Sequence, residues 1–142
     1  TMVMHNQDHK RYTDLVADVT AFLRRSIEIA EQAGVPAEYI IIDPGIGFGK
    51  TVAHNLDLMR DLAELKRLGR PILLGTSRKS TIGKVLGDLP VTERVEGTAA
   101  TVALGIERGA EIVRVHDVKA MKRVAMMTDA IIRPGRGGFQ AE

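Results

Sequence analysis

Cysteine is absent from the chain, tryptophan is absent, and the aromatic side chains amount to two tyrosines and three phenylalanines. The first absence excludes a disulfide framework. The shortage of rings leaves little to stack bases on, so a surface for single-stranded nucleic acid drops out of the functional classes. Also missing is any stretch that joins a basic start to a long apolar run, so these residues show no secretory signal or membrane span and the cytoplasm is the expected address. There is no block of like charge: 20 basic and 18 acidic residues are mixed along the chain for a net charge of +2. That balance speaks neither for nor against a polyanionic partner. An initiator methionine is lacking too. Thr1 stands first and Met2-Val3-Met4 already reads like a strand, so the chain is expected to be a piece that begins inside a structure. What is present is 142 residues, 44% of them hydrophobic, which suits one globular domain with a modest core.

Along that domain the apolar period alternates. Leu15, Val19, Phe22, Leu23, Ile27 and Ala30 recur at helical spacing, and Gly34 follows where a helix would stop. Tyr39 to Ile42 is a short, continuously apolar run ending in Asp43-Pro44-Gly45, as expected of a strand covered on both faces. Leu56, Met59, Leu62 and Ala63 predict the next helix, closed by Gly69, and Pro71 to Leu74 the next strand. A polar stretch with Gly87 and Pro90 leads to a predicted helix from Thr92 to Gly109. Ile112 to Val115 is then a last strand, and 118–132 a last helix. Four strand-helix units with short apolar strands predict a parallel α/β fold. An eight-unit barrel needs at least about 200 residues, so four units make either half a barrel or a small open sheet.

Polar residues gather at one recurring place in this order. His5 and Asn6, Asp43 onward, Gly75 to Ser80, and Arg114 with His116 all fall at or just past the carboxyl end of a strand. In parallel α/β folds those ends share a face, and ligands bind there. The run Asp43-Pro44-Gly45-Ile46-Gly47-Phe48-Gly49-Lys50-Thr51 first suggests a nucleotide-binding loop. It does not match, because Pro44 occupies the position of the required first glycine, fixing φ and removing an N–H from the phosphate cradle. A carboxylate at Asp43 can instead accept two parallel N–H bonds from an amidine-like heterocycle edge; the bland alternative is a flexible strand-to-helix turn. Gly75-Thr76-Ser77-Arg78-Lys79-Ser80 sets two cations and several hydroxyls where a helix opens, a place that suits an anion or an electron-rich ring, unless it is merely a solvated basic turn. Arg114 and His116 alternate about Val115 and should point the same way, Arg114 meeting either a bound anion or a carboxylate such as Asp43, with Asp117 as a cap on the last helix. His9 and His54 read as surface residues and join no metal cluster.

Met4-His5-Asn6, Asp43 to Lys50, Gly75 to Ser80 with Thr81-Ile82-Gly83, and Arg114 to Val118 together resemble the successive signatures of bacterial dihydropteroate synthases, in order and in spacing. The resemblance runs to about Ile132. It implies the last four units of an eight-unit TIM-type β/α barrel: a pterin-binding half barrel over 1–133 and a flexible tail over 134–142. By the same resemblance Asp43 reads the 2-amino and ring N–H edge of a pterin, and Lys79 bonds the ring acceptors. Met4, Phe48 and Gly75 line the pocket, Arg114 and His116 hold a leaving pyrophosphate, Ser80 lies near 4-aminobenzoate and Arg78 supports this lip. Lys79 and Arg114 are then the catalytic candidates, acting through charge stabilisation.

The implied activity is the joining of a dihydropterin pyrophosphate to 4-aminobenzoate. Mg²⁺ is expected as cofactor, but its ligand belongs to the family's other half, as do a second set of pterin-reading residues and two mobile loops, so no metal ligand is expected in this chain. The isolated chain is accordingly expected to be inactive, to bind neither nucleic acid nor membrane, and to associate with itself or with the missing half through its open sheet edges. Two rivals are a pterin-binding methyltransferase domain, which has no need of the Ser77-to-Ser80 and Arg114/His116 cluster, and a non-catalytic half barrel.

Overall fold

The computed structural model describes residues 1–133 and Gly135, so the expected tail over 134–142 lies, apart from Gly135, outside the described residues. Its order is β1 (Met2–Met4), α1 (Leu15–Gln32), β2 (Ile41–Asp43), α2 (Val52–Arg60), β3 (Ile72–Leu74), α3 (Ser80–Val85), α4 (Val95–Glu107), β4 (Ala110–Val113) and α5 (Val118–Ile132). The four strands form one parallel sheet in the order β1-β2-β3-β4. This is the alternating α/β arrangement that the apolar runs predict.

α1 shows how local chemistry sets these boundaries. Asp14 accepts from the backbone N–H of Ala17 at 3.0 Å and so satisfies one of the orphan donors of the first turn. Val19, Leu23, Ile27 and Ala30 form its buried stripe, and the chain leaves through Gly34 at φ +87, where the N–H of Val35 reaches back to the carbonyl of Ala30.

The next expected stripe is corrected. α2 stops at Arg60 and the chain tightens into a 3-10 helix over Leu62–Leu68, whose three-residue period buries Leu62 and Leu65; Ala63 is exposed and Leu56 is 42% exposed. Two strands also shift. Tyr39 belongs to a 3-10 turn (Ala37–Tyr39) and is 64% exposed, and β4 spans Ala110–Val113, so Arg114 lies beyond the strand rather than within it.

Alternation divides the sheet into two unlike faces. Ile42, Ile72, Leu74 and Ala110 point to the helices and are buried with Leu23, Ile27, Leu58, Leu62 and Leu65 in the main core. Each such aliphatic side chain contributes about 1.5–3 kcal/mol by leaving water. A smaller cluster of Val102, Ile106 and Met121 joins α4 to α5. On the opposite face Met2, Met4, Ile41, Leu73 and Ile112 stay half-buried or exposed. The strands are thus apolar on both sides, as expected, but helices cover only one. Among the described residues no helix is long and apolar enough to cross a membrane.

Candidate functional site

The parallel sheet brings the carboxyl ends of β2, β3 and β4 to one rim. At the end of β2 the carbonyl of Asp43 still accepts from the N–H of His5 at 3.0 Å, continuing the ladder to β1, while the Asp43 side chain turns back so that Oδ1 accepts from the N–H of Gly45 at 2.7 Å. Oδ2 has no partner among the described residues and is available to a ligand. Gly45 is required here: its φ is +70, and a Cβ would come within 1.9 Å of the His5 carbonyl oxygen.

Beyond it the loop spends its polar groups on itself. The N–H of Phe48 donates to the Gly45 carbonyl at 3.1 Å, the N–H of Gly47 donates to Asn55 Oδ1 at 2.8 Å, and Tyr12 Oη donates to the Gly49 carbonyl at 2.7 Å. Lys50, 5% exposed, turns inward and donates to the carbonyls of Gly45 and Phe48 at 3.0 Å each, with His5 Nδ1 at 2.8 Å. A lysine so occupied does not reach a phosphate, in keeping with the mismatch at Pro44.

β3 and β4 end differently. A cavity of about 310 Å³ opens between them, lined by Gly75, Ser77, Lys79, Arg114, Val115 and His116. Ser77 Oγ lies 2.8 Å from His116 Nδ1 and also accepts from the backbone N–H of His116 at 3.0 Å, which ties the two loops together. Lys79 donates to the Ile46 carbonyl and sits 4.5 Å from the centre of the Phe48 ring, a cation over an aromatic face. Arg114 makes no side-chain hydrogen bond or ion pair among the described residues, so the pairing considered with Asp43 is not formed. The guanidinium packs over Gly75, where a Cβ would stand 3.4 Å from Arg114 Nη2, an ordinary contact.

The charges communicate nevertheless. Asp43 is 3% exposed and burial pushes its carboxyl above the usual range, opposed by the Gly45 N–H and then by Lys79, Arg114 and Lys50. Burial likewise lowers Lys79, with Asp43 opposing and Arg114 reinforcing the shift. The rim therefore offers two cations and an imidazole around one hollow, while the buried carboxylate of Asp43 lies outside that lining, as do Met4 and Phe48, and feels both cations. Such a set can hold a flat heterocycle with a donor edge and an attached anion.

The remaining expected residues take these places. Met4 lies opposite Asp43 in the β1-β2 register, on the same side of the sheet, and Phe48 is at the tip of the β2-α2 loop. Ser80 is exposed at the first position of α3, outside the cavity lining. Arg78 is turned away from the cavity: its guanidinium makes a two-point contact with Asp117 at 3.0 and 2.6 Å, which lowers the Asp117 carboxyl, and its backbone is left-handed at φ +57. Its carbonyl accepts from Arg94 at 2.8 Å and its N–H donates to Thr98 Oγ1 at 3.0 Å. His54 helps cap α2 through Thr51.

Two residues are given no role by the sequence reading, Lys50 and Asn55, and Ser77 is read only as a member of the cluster at the opening of α3. Asn55 carries a signal that could have found it, since it falls on the buried stripe of α2 with Leu58 and Met59, where a polar amide must have partners. Those partners are the Gly47 N–H and Thr81 Oγ1, the latter at 2.9 Å.

Comparison with known proteins bears on the same rim. Residues 1–116 match the model of a family described as pterin binding enzyme. The chain is 52% identical over 134 residues to a dihydropteroate synthase of Bacillus subtilis, covering 94% of this chain and 47% of that one. Its fold superposes with a TM-score of 0.90 on a Clostridium difficile dihydropteroate synthase crystallised in the presence of pteroic acid, at 53% identity over 93% of this chain and 50% of that one. It is similar also to the Thermus thermophilus dihydropteroate synthase in complex with 6HMPPP (43% identity, TM-score 0.86, 92% of this chain and 52% of that one) and with 4-aminobenzoate (40%, 0.86, 92% and 56%). The chain spans about half the length of the curated relatives it matches. Its four units correspond to half of their β/α barrel.

Proposed function

The chain belongs to the pterin binding enzyme family, and from that membership we propose that the rim of its sheet is the pterin and pyrophosphate half of a dihydropteroate synthase active site. In this reading Asp43 accepts from the 2-amino group and ring N–H of a dihydropterin, and Lys79 donates to the ring acceptors. Met4, Phe48 and Gly75 bound the ring, and Arg114 with His116 receives the pyrophosphate. Ser80 lies toward 4-aminobenzoate, while Arg78, held by Asp117, shapes the lip between them.

The reaction breaks the bond between the 6-methylene carbon and the pyrophosphate oxygen, the electron pair leaving with pyrophosphate. The positive charge left on the methylene is shared with the pterin ring, and the amine nitrogen of 4-aminobenzoate supplies the pair for the new C–N bond, then loses a proton. Arg114 and Lys79 act by favouring the charge that develops on the departing group, while the pocket acts by alignment. Little acid-base chemistry is asked of the protein.

Among the described residues no three His, Asp or Glu side chains converge to hold a metal, and the anion cavity is lined by cations and neutral groups. These residues do not fit a Mg²⁺ site of their own. A Mg²⁺ accompanying pyrophosphate would find its ligand in the rest of the protein.

What carries the reading is that Lys79 and Arg114, 35 positions apart, share one cavity and both act on the buried Asp43. Calorimetric titration of the full-length protein with 6-hydroxymethylpterin tests it: binding that Asp43→Asn weakens by roughly two decades supports the reading, and binding indifferent to that change overturns it. The protein works in the cytoplasm, and its uncovered sheet face pairs with the other half barrel or, in the isolated chain, with a second copy. That isolated chain is inactive. Turnover of dihydropterin pyrophosphate by the chain alone at the rate of a complete enzyme, or a well-folded monomer in sedimentation at micromolar concentration, would contradict these two statements respectively.

A further inference from the structure

Lys50 is a buried cation for which the reaction has no evident use. Its ammonium has three donors, and each has an acceptor: the carbonyls of Gly45 and Phe48 and the Nδ1 of His5. His5, 1% exposed, is itself wedged at the end of β1 with its ring edge-on to Phe22 at 4.8 Å. Burial lowers Lys50 to about 8, with Asp43 opposing and Lys79 reinforcing the shift, and burial with the Lys50 charge lowers His5 to about 4. His5 is therefore neutral at pH 7 and accepts through Nδ1. Because the folded chain holds the Lys50 proton less tightly than the unfolded chain does, stability falls as pH drops from the ordinary lysine value of 10.5 toward about 8, and the full penalty of the charge is present below that. A methionine of similar shape would spare that penalty. The lysine is thus poorly explained as a stabilising group.

Its position explains it better. The two carbonyls it gathers belong to Gly45, which orients Asp43, and to Phe48, which carries the ring beneath Lys79. We propose that Lys50 is a positioning residue of the pterin site, its buried ammonium folding the β2-α2 loop into the shape that presents Asp43 and Phe48 together to the ligand. The inference rests on the pterin reading above. Lys50 touches no substrate. The titratable groups facing it are the neutral His5 and the charged Asp43 and Lys79, with Arg114 acting on Asp43 and Asp18 on His5.

The test is the affinity of the full-length protein for 6-hydroxymethylpterin, followed by its fluorescence at neutral and acidic pH, where the ring N–H of the ligand stays protonated, for wild type, Lys50→Met, Lys50→Gln and Lys50→Arg. Folding of each variant is checked by far-UV circular dichroism and a cooperative melt. Lys50→Met should bind roughly tenfold more weakly at pH 7, the loss expected of one charged hydrogen-bonding group, with its acidic limb moved upward because a cation near Asp43 is gone. Lys50→Arg, which keeps the charge, should recover part of the affinity and the wild-type acidic limb. A folded Lys50→Met that binds as wild type does, or whose acidic limb stays in place, overturns the proposal; where Lys50→Met fails to fold, Lys50→Gln decides in the same way. Absence of any pterin binding by wild type overturns the functional reading and this inference with it, whereas pterin binding lost in Asp43→Asn but indifferent to Lys50 overturns this inference alone.

Discussion

Two loops at the same rim, each bearing a lysine, treat their polar groups in opposite ways. The loop after β2 turns them inward. Lys50, Gly45, Gly47 and Phe48 find partners within the loop, on His5 or on Asn55, and what it presents outward is one oxygen of Asp43 and the Phe48 ring. The loops after β3 and β4 leave theirs outward: Arg114 has no partner among the described residues, His116 is exposed, and Lys79 rests on a carbonyl and a ring face from which a ligand can draw it. A closed loop suits a rigid, mostly neutral ring, since its shape is fixed before binding and little ordering remains to be done. A cation without a partner, as at Arg114, suits a mobile anion. The same residue type is thus scaffold in one loop and contact in the other, and what decides is whether the side chain's donors are already engaged.

The contrast is most sharply broken at Asp43, the outward group of the closed loop. Asp43→Asn should weaken 6-hydroxymethylpterin by about 3 kcal/mol, roughly two decades in Kd, because an amide presents a donor to the donor edge of the ligand and removes the charge. Calorimetry reads it directly. Next comes Arg114→Met, which should weaken inorganic pyrophosphate by about 2 kcal/mol while leaving 6-hydroxymethylpterin within roughly a factor of two, since the guanidinium belongs to the open side. Asn55→Ala should lower stability by about 1–2 kcal/mol in urea unfolding, as the Gly47 N–H and Thr81 hydroxyl lose their partner, and should weaken pterin binding along with it. The smallest effect is one of pH. Because burial raises Asp43 and the ionised form is the one that accepts, wild-type pterin affinity should fall as pH drops through a value above the ordinary carboxylate range, and this acidic limb should vanish in Asp43→Asn.

Much of this was legible in the residues because short apolar runs punctuated by glycine and proline can do little else than alternate as strands and helices. The four units, the parallel sheet and the convergence of Lys79, Arg114 and His116 follow from that. Boundaries were less so. The period between Leu56 and Leu68 changes from helical to three-residue spacing, and no single residue announces the change, since Leu62 satisfies both patterns. Arg114 reads as part of a strand because Val113 and Val115 flank it, whereas the ladder ends at Val113. The direction of a long side chain was least legible of all. Arg78 and Lys79 are neighbours of like charge, yet a left-handed backbone at Arg78 sends its guanidinium to Asp117, 39 positions on, and leaves Lys79 facing the cavity.

The central claim is that one hollow holds a ring on Asp43 and an anion on Arg114 at the same time. Titration of the full-length protein with dihydropterin pyrophosphate, in which ring and anion are one molecule, tests it most directly. The account predicts tighter binding of this molecule than of either 6-hydroxymethylpterin or pyrophosphate, with Asp43→Asn and Arg114→Met each weakening it. If the linked molecule binds no better than its parts, or if one of the two substitutions leaves its affinity untouched, ring and anion do not share the site.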